Sequence, residues 1–509
     1  MIARVVFAVL ASASIAAAED GPPFETVAID SPGRTVAAEL ADFDGDGRAD
    51  LMRVVYTGVP PRNERVVHVH FADAGGTIAR EPSRSVRLTG GEALYDLLGS
   101  SPARLLLLGR DGVSVVSVAD RVVARREVRS PAPPTVAAAA DHRSLERTPL
   151  VWPDGRGGHW LALAGFGEVA VVRTDGETVA RIPVEARAEY VARAPGEPVY
   201  TESDAQLVFD TPRLVAGDVD GDGRTDLVVA TRREVRVHLQ TGVGAFAVEA
   251  DRVVSLPAVS EDEHYREAAV VRSDFADADG DGRVDLLVSV FRGVATDGRV
   301  ETSLHVNRGG TWNLDRPDAR FEVDGHFGGD GWIDIDGDAR LELVRVIFPV
   351  GLLEMVEALL TREIDATVHV HRSGDGGRVE REPWASVKLG IPFSLRTREA
   401  VGFAPTLAHD IDGDGHRDLL SPGDGRRLEV RRGGAGSGFE TIDVRVPVDT
   451  RGRLRAGDTD GDGLPELILY DPTRADSPVL LLRNRMPARG PSLRSDDRTP
   501  AREQQETRP

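Results

Sequence analysis

The sequence predicts an all-β protein, a β-propeller of seven or eight four-stranded blades with one helical insertion, and three observations predict it. A ten-residue acidic pattern recurs six times at roughly one-blade intervals, each copy is followed by an apolar strand and then an alternating strand, and the N-terminal segment supplies a strand that the last repeat lacks. Counting units favours eight blades.

The acidic pattern reads DFDGDGRADL (42–51), DVDGDGRTDL (218–227), DADGDGRVDL (277–286), DIDGDARLEL (334–343), DIDGDGHRDL (410–419) and DTDGDGLPEL (458–467). The starts at 218, 277 and 334 lie 59 and 57 residues apart, whereas 42 to 218 is 176, close to three periods. Two degenerate units must fill that gap. RLLLLGRDGVSVVSV (104–118) and HWLALAGFGEVAVV (159–172) have the two-strand pattern of DLVVATRREVRVHLQ (226–240) without the acids. A Phe-led outer strand is expected at FAVEADRV (246–253), FEVD (321–324) and FETIDVRV (439–446). The final repeat ends at LLLRNR without one, and FETVAID (24–30) is the missing piece. Pairing there closes the ring and removes the exposed edges of an open array.

The propeller is expected over 19–486. Before it, MIARVVFAVLASASIAAA (1–18) reads as a secretory signal peptide with cleavage after Ala18, which implies a secreted, periplasmic or cell-surface protein. After it, 487–509 loses its apolar content and reads as a disordered tail. Within it, GLLEMVEALLTRE (351–363) places Leu352, Leu353, Val356, Leu359 and Leu360 on one helical face, either packed on a blade or used to dock a partner. No segment reaches the ~20 apolar residues of a membrane span. Cysteine is absent and Lys388 is the only lysine. An exported chain without disulfides must draw rigidity from a large core, from metal, or from both. A net charge of −21 argues against nucleic acid and anionic membrane as partners.

The acidic loops have calcium chemistry. Calcium takes six to eight oxygen ligands, and alternate residues of a tight loop can aim carboxylates at one centre. The first loop offers Asp42, Asp44, Asp46 and Asp50 as carboxylates and the backbone carbonyl of Arg48. The second and third offer Asp218, Asp220, Asp222, Arg224 and Asp226, then Asp277, Asp279, Asp281, Arg283 and Asp285. The fourth and fifth offer Asp334, Asp336, Asp338, Arg340 and Glu342, then Asp410, Asp412, Asp414, His416 and Asp418. The sixth offers Asp458, Asp460, Asp462, Leu464 and Glu466, so up to six Ca2+ are expected. Glycine at position 6 permits the positive φ that folds the loop back; Ala339 takes that place in the loop at 334, which is therefore expected to bind most weakly. An EF-hand is excluded, because position 12 is Arg53, Val229 or Val288 in place of a bidentate Glu, and a β-rich run follows in place of a helix.

These D-x-D-G-D-G-x-x-D-L loops, each followed by an apolar and then a V-x-V-x strand, resemble FG-GAP/VCBS repeats, the calcium-binding blades of integrin α-subunit propellers and of many secreted bacterial proteins. The resemblance spans roughly 24–485 and implies a propeller with calcium on loops at one rim. It leaves function open, since one fold hosts many.

A binding or adhesion module, monomeric and directed to a surface protein or glycan, is the leading functional expectation. A calcium-dependent polysaccharide lyase and a purely structural member of a surface assembly are the alternatives. The HxH pairs His68/His70 and His369/His371 read as polar packing positions or transition-metal chelators. In SEDEHYREA (260–268), His264 and Tyr265 read as a solvated loop or an acid/base pair, and Trp152 and Trp160 as blade packing or sugar stacking. No GxSxG, HExxH or phosphate loop is present.

Overall fold

Strands of two kinds alternate along the chain, and their burial explains the architecture. Second strands such as Asp226–Ala230 and Glu466–Tyr470 are buried at every residue, as expected when both faces of a sheet are covered. Outer strands such as Val444–Pro447 alternate buried and exposed. In this computed structural model residues 22–490 are described, apart from 60–61, 89–90, 110–111, 120–121, 130–144, 154–157, 166, 184–187, 192–205, 210–211, 243–244, 258, 261, 264–268, 295–296, 349–359, 362, 375–377, 395–398, 401, 435–437 and 476.

Eight four-stranded antiparallel blades form a ring. Blade 1 is Arg34–Ala41, Asp50–Thr57, Glu64–His70 and Arg84–Arg87, and blade 2 is Glu92–Leu98, Arg104–Gly109, Gly112–Ala119 and Val122–Arg129. Blade 3 is Val151–Pro153, His159–Ala164, Glu168–Arg173 and Thr178–Pro183, and blade 4 is Arg213–Gly217, Asp226–Ala230, Glu234–His238 and Arg252–Ser255. Blade 5 is Ala269–Ala276, Asp285–Val294, Asp297–His305 and Ala319–Asp324, and blade 6 is His326–Ile333, Glu342–Phe348, Glu363–His371 and Ala385–Ser394. Blade 7 is Thr406–His409, Asp418–Ser421, Arg427–Arg431 and Val444–Pro447. Blade 8 takes Arg453–Gly457, Glu466–Tyr470 and Val479–Asn484 from the end of the chain and Phe24–Ile29 from its beginning. Phe24–Ile29 runs antiparallel to Val479–Asn484, from Phe24 opposite Asn484 to Ile29 opposite Val479. Two blades carry an extra pair: Glu146–Arg147 lies parallel beside Glu92–Leu98, and Glu399–Ala400 lies beside Ala385–Ser394.

The buried apolar residues form eight clusters, each shared by two successive blades, from Phe43 with Tyr95 between blades 1 and 2 round to Leu51 with Tyr470 between blades 8 and 1. Position 2 of the acidic loops is a plug into this system, being Phe43, Val219, Ala278, Ile335, Ile411 and Thr459, all buried. The leucine at position 10 faces the preceding blade, as Leu467 does in the blade 7–8 cluster and Leu51 in the blade 8–1 cluster.

The Phe-led outer strand holds in part. Phe321 and Phe24 lie in outer strands, but Phe246 sits in a short bridge before Arg252–Ser255, and Phe439 lies in the turn before Val444–Pro447 at φ 56. Both are drawn out of the sheet by packing, with edge-on rings against Trp160 at 5.3 Å and Trp384 at 5.9 Å. Most of the expected helix, 351–359 and 362, lies outside the described residues. Leu360 is in a short helical turn at 79% exposure, and Glu363 already begins a strand. The expected signal peptide and residues 491–509 also lie outside the described residues. Among the described residues no helix is long and apolar enough to cross a membrane.

Removing residues 19–30 strips the fourth strand from blade 8 and unburies Phe24 and Ile29, at about 1.5–3 kcal/mol for each side chain. The melting temperature is expected to fall by about 10 °C or more; an unchanged melt by calorimetry would show that the ring does not depend on this strand.

Candidate functional site

Each acidic loop joins the first and second strands of its blade, and its carboxylates act by position. At position 1, Asp42 accepts from the N–H groups of Gly45 and Gly47 at 2.6 and 3.0 Å, Asp218 from Gly221 and Gly223 at 2.7 Å each, and Asp458 from Gly461 and Gly463 at 2.7 and 2.9 Å. This curl requires a left-handed backbone at position 4 as well as at position 6, with φ 82 at Gly45 and 87 at Gly47. Ala339 adopts φ 67 at position 6 of its loop, a strain of about 1 kcal/mol.

The carboxylate at position 9 does more than sequence spacing assigned to it. It is buried, and its two oxygens bridge the N–H of position 2 and that of a residue at or just beyond the end of the third strand. Asp226 accepts from Val219 and Gln240 at 2.8 Å each, Asp285 from Ala278 and Asn307 at 2.9 and 2.7 Å, and Asp418 from Ile411 and Gly433 at 2.7 Å each. Asp50 does the same with Phe43 and Ala72, Glu466 with Thr459 and Asn484, and Glu342 accepts from Ile335.

Positions 1, 3 and 9 converge. One carboxylate oxygen from each lies within 4.8 Å of the others in Asp42/Asp44/Asp50, Asp218/Asp220/Asp226, Asp277/Asp279/Asp285, Asp334/Asp336/Glu342 and Asp410/Asp412/Asp418. Asp46, Asp222, Asp281, Asp338 and Asp414 at position 5 stand outside these groups. Each of them, and Asp462, accepts instead from the N–H of position 7. Arg48, Arg224 and Arg283 at position 7 also pair their guanidiniums with these aspartates.

These groups fit a hard cation. Oδ1 of Asp336 and of Asp460 at position 3 is buried with no hydrogen-bond partner, an arrangement that an oxygen-seeking ion satisfies. Burial, opposed by the backbone donors and reinforced by neighbouring carboxylates, pushes Asp50 and Asp285 up to about 6 and Glu342 and Asp418 up to about 7. A divalent ion among them would offset that cost. The all-oxygen donor set suits calcium.

The loops are also chained to one another. The position 8 N–H of one loop donates to the position 1 carbonyl of the preceding blade, as in Ala49 to Asp458 at 2.6 Å and Val284 to Asp218 at 2.8 Å. Blade 2 has lost the acids and kept the contact, with Ala103 N–H on the Asp42 carbonyl and the Ser101 hydroxyl on Asp42 Oδ2, both at 2.6 Å.

The other sequence candidates resolve as packing. His70 and His371 each place Nδ1 on a backbone carbonyl, Ala79 at 2.8 Å and Glu380 at 3.0 Å, and Arg53 donates to His70 Nε2 at 3.1 Å. His238 and His305 make the same contact in blades 4 and 5. The register thus makes His238, His305 and Arg431 the counterparts of His70 and His371, each opposite the position 10 leucine. His68 and His369 meet Ser85 and Ser386. Trp152 and Trp160 pair across adjacent strands in the blade 3–4 core. His264 and Tyr265 lie outside the described residues.

Sequence reasoning missed a cavity of about 1430 Å³ along the first strands of blades 7, 8, 1 and 2. Arg147, Arg451, Arg453, Arg455, Arg474 and His409 line it, opposed by Glu39, Asp96, Glu146 and Asp471. At its wall Glu39 accepts from Tyr95 at 2.6 Å, Arg455 at 2.8 Å and Arg147 at 3.1 Å, and Arg453 grips both oxygens of Glu146 at 2.6 and 2.7 Å. Residues 402–404, 451–452 and 471–474 precede first strands or follow second strands, so this mouth lies at the opposite end of the blades from the acidic loops. The signal available in sequence was RGRLRAG (451–457), with arginines at alternating positions on a first strand.

The FG-GAP-like repeat family matches residues 218–288 and 410–469, which hold four of the six loops, and the same loop geometry recurs in all six within eight blades. The chain carries FG-GAP-like repeats in an eight-bladed propeller. No curated protein matches its sequence. Among solved structures, the propeller is similar to an Agrocybe aegerita lectin that recognises non-reducing terminal N-acetylglucosamine, at 14% identity over 89% of this chain and 86% of that one, with a TM-score of 0.38. It is also similar to the Dos1 propeller, at 9% identity over 91% and 95% with a TM-score of 0.32. A third similarity is to BBS1N in complex with ARL6DN, at 8% over 91% and 97% with a TM-score of 0.37. Likeness at these scores carries no argument about ligand.

Two outcomes are expected of the metal-free FG-GAP propeller. Asp226→Ala, which orphans two buried N–H groups, should destabilise it by about 2–5 kcal/mol, and Asp222→Ala at the exposed position 5 by about 1 kcal/mol or less, measured by urea unfolding. Stability should also fall as pH rises from about 6.5 to 8. Carboxylates whose folded values are raised to about 6–7 lose protons that favour the fold as pH rises from about 4 through about 7. Between about pH 4 and 6.5 His68, His70 and His371, held down to about 4 mainly by burial, draw protons to the unfolded chain and offset that loss. A melting temperature rising steadily from pH 6.5 to 8 would contradict the carboxylate half.

Proposed function

We propose that this protein is an exported, calcium-stabilised binding module that takes a surface protein or glycan into its axial cavity. The observation that carries the reading is the cavity itself, preformed, about 1430 Å³, and lined by fixed arginine–carboxylate pairs that present donors and acceptors to a polar ligand. The acidic loops lie at the other end of the blades with their carboxylates committed to backbone and ion. They stiffen the ring, and recognition falls to the opposite mouth. Export and surface location rest on the leader-like residues 1–18.

A second reading, a polysaccharide lyase, is favoured by one observation. His409 is among the residues that line the cavity, and burial and then Arg417 hold its pKa below the usual value, so it is neutral and able to accept a proton. Incubation with polyuronates, followed in the ultraviolet for unsaturated product, separates the two. Product formation that is lost in His409→Ala would establish the lyase.

Each calcium site held at a hundred times its Kd adds about 2.7 kcal/mol. Chelation is therefore expected to lower the melting temperature by about 10 °C or more and calcium to remove the fall in stability above about pH 6.5; a melt indifferent to EGTA would rule out structural calcium. On a glycan array the calcium-loaded protein should retain a defined set of glycans. Arg474→Ala, at a side chain that is half-exposed at the cavity mouth and 3.7 Å from Asp449, should weaken that retention about tenfold with the melt unchanged.

A further inference from the structure

At position 3 of their loops Asp336, Asp412 and Asp460 each bury Oδ1 without a hydrogen-bond donor. Asp412, whose side chain is 1% exposed, also faces two guanidiniums, Arg432 Nε at 3.0 Å and Arg489 Nε at 3.4 Å from Oδ2. Arg489 does not belong to any blade. It follows the last strand of blade 8, in a segment whose contacts include Arg485 N–H on the Pro23 carbonyl at 2.9 Å, the Arg485 guanidinium on Glu25 at 2.6 Å, Met486 buried in the blade 7–8 cluster, and Arg489 N–H on the Asp412 carbonyl at 2.9 Å. The Arg432 guanidinium also reaches Met486 Sδ at 3.5 Å. One aspartate thus receives both the charge and the backbone of the segment.

We propose that calcium and the segment 485–490 compete for Asp412, so that the blade 7 loop is the weakest of the six sites and the one whose loading releases that segment. Two guanidiniums bring the same charge as the ion to the same carboxylate. A cation entering beside them meets like charge at close range, and its nearest relief is departure of the more exposed partner, Arg489, whose side chain is 52% exposed against 23% for Arg432. The aspartates at positions 1 and 9, Asp410 and Asp418, remain to bind the ion. This ranking departs from the one expected from sequence, which placed the weakest site at Ala339. A left-handed alanine costs one loop about 1 kcal/mol, whereas opposing charge acts on the ion itself.

The inference rests on the loops being calcium sites, and its test separates the two. Calcium alone is titrated into the full chain by calorimetry while hydrogen exchange follows the Arg489 amide. In the wild-type protein one weak class of site is expected, at least tenfold weaker than the rest, and the Arg489 amide should lose protection over that same calcium range. In Arg489→Gln the weak class should tighten about tenfold, and in Asp412→Asn it should vanish with the strong classes intact. Strong sites that are present, with Arg489→Gln leaving every class unchanged or with Arg489 protection constant throughout the titration, would overturn the competition and leave the calcium reading standing. A flat isotherm in all three proteins would overturn both.

Discussion

The carboxylate at position 9 of each acidic loop is the contact on which the ring depends. It is buried, it receives the N–H of position 2 on one oxygen, and in five of the six loops it receives on the other the N–H of a residue at or just past the end of the third strand. Fixing position 2 aims its side chain into the next blade, and fixing the strand exit sets where the third strand leaves the sheet. One side chain therefore couples the geometry within a blade to the packing between blades. Removing an acceptor from two buried donors is among the more costly single changes a protein can suffer. The ion that positions 1, 3 and 9 can hold is added to a frame already hydrogen-bonded, and it offsets the repulsion the frame creates.

With Lys388 the only lysine among 62 basic Lys and Arg residues, arginine carries the chain's positive charge, and the structure gives that preference a role. The guanidinium is planar, permanently charged and able to donate in several directions, and it tolerates burial where an ammonium would lose its proton. Arg345 shows this, donating to Asp330 and Thr302 at the blade 5–6 junction with its side chain 3% exposed. Arg65 reaches from blade 1 to Glu92 of blade 2 with 1% exposure. Without cysteine to staple the blades, such pairs fix their register. Six bound divalent ions would bring the net charge from −21 to −9, so much of the acidity is internal to the loops.

How much of this was legible in sequence follows from the range of each interaction. The loops, the apolar second strands and the two units at 104–118 and 159–172 that lack the aspartate loop were readable because their determinants are local: alternate carboxylates, a positive-φ glycine, a run of branched residues. The ring closure was readable because a missing strand at one end matched a surplus strand at the other. The displacement of Phe246 and Phe439 from their strands was not, since it is decided by Trp160 and Trp384 across tertiary contacts. The cavity was hidden for the same reason, with Glu39 meeting Arg455 across 416 positions of chain and Arg453 meeting Glu146 across 307. The dual role of position 9 was hidden differently: a carboxylate placed to bind metal and one placed to bind backbone look alike in sequence.

Blade 8 draws its outer strand from residues 24–29 and its other three from 453–484. During synthesis the residues that come first must therefore wait unpaired while seven blades and most of an eighth are made. Closing such a long loop is entropically slow, and an unpaired strand edge in the interval is open to the wrong partner. Completion of the ring is thus a report that the whole chain has arrived. A chain cut short anywhere before Val479 would hold every earlier blade and still lack the partner of its first strand.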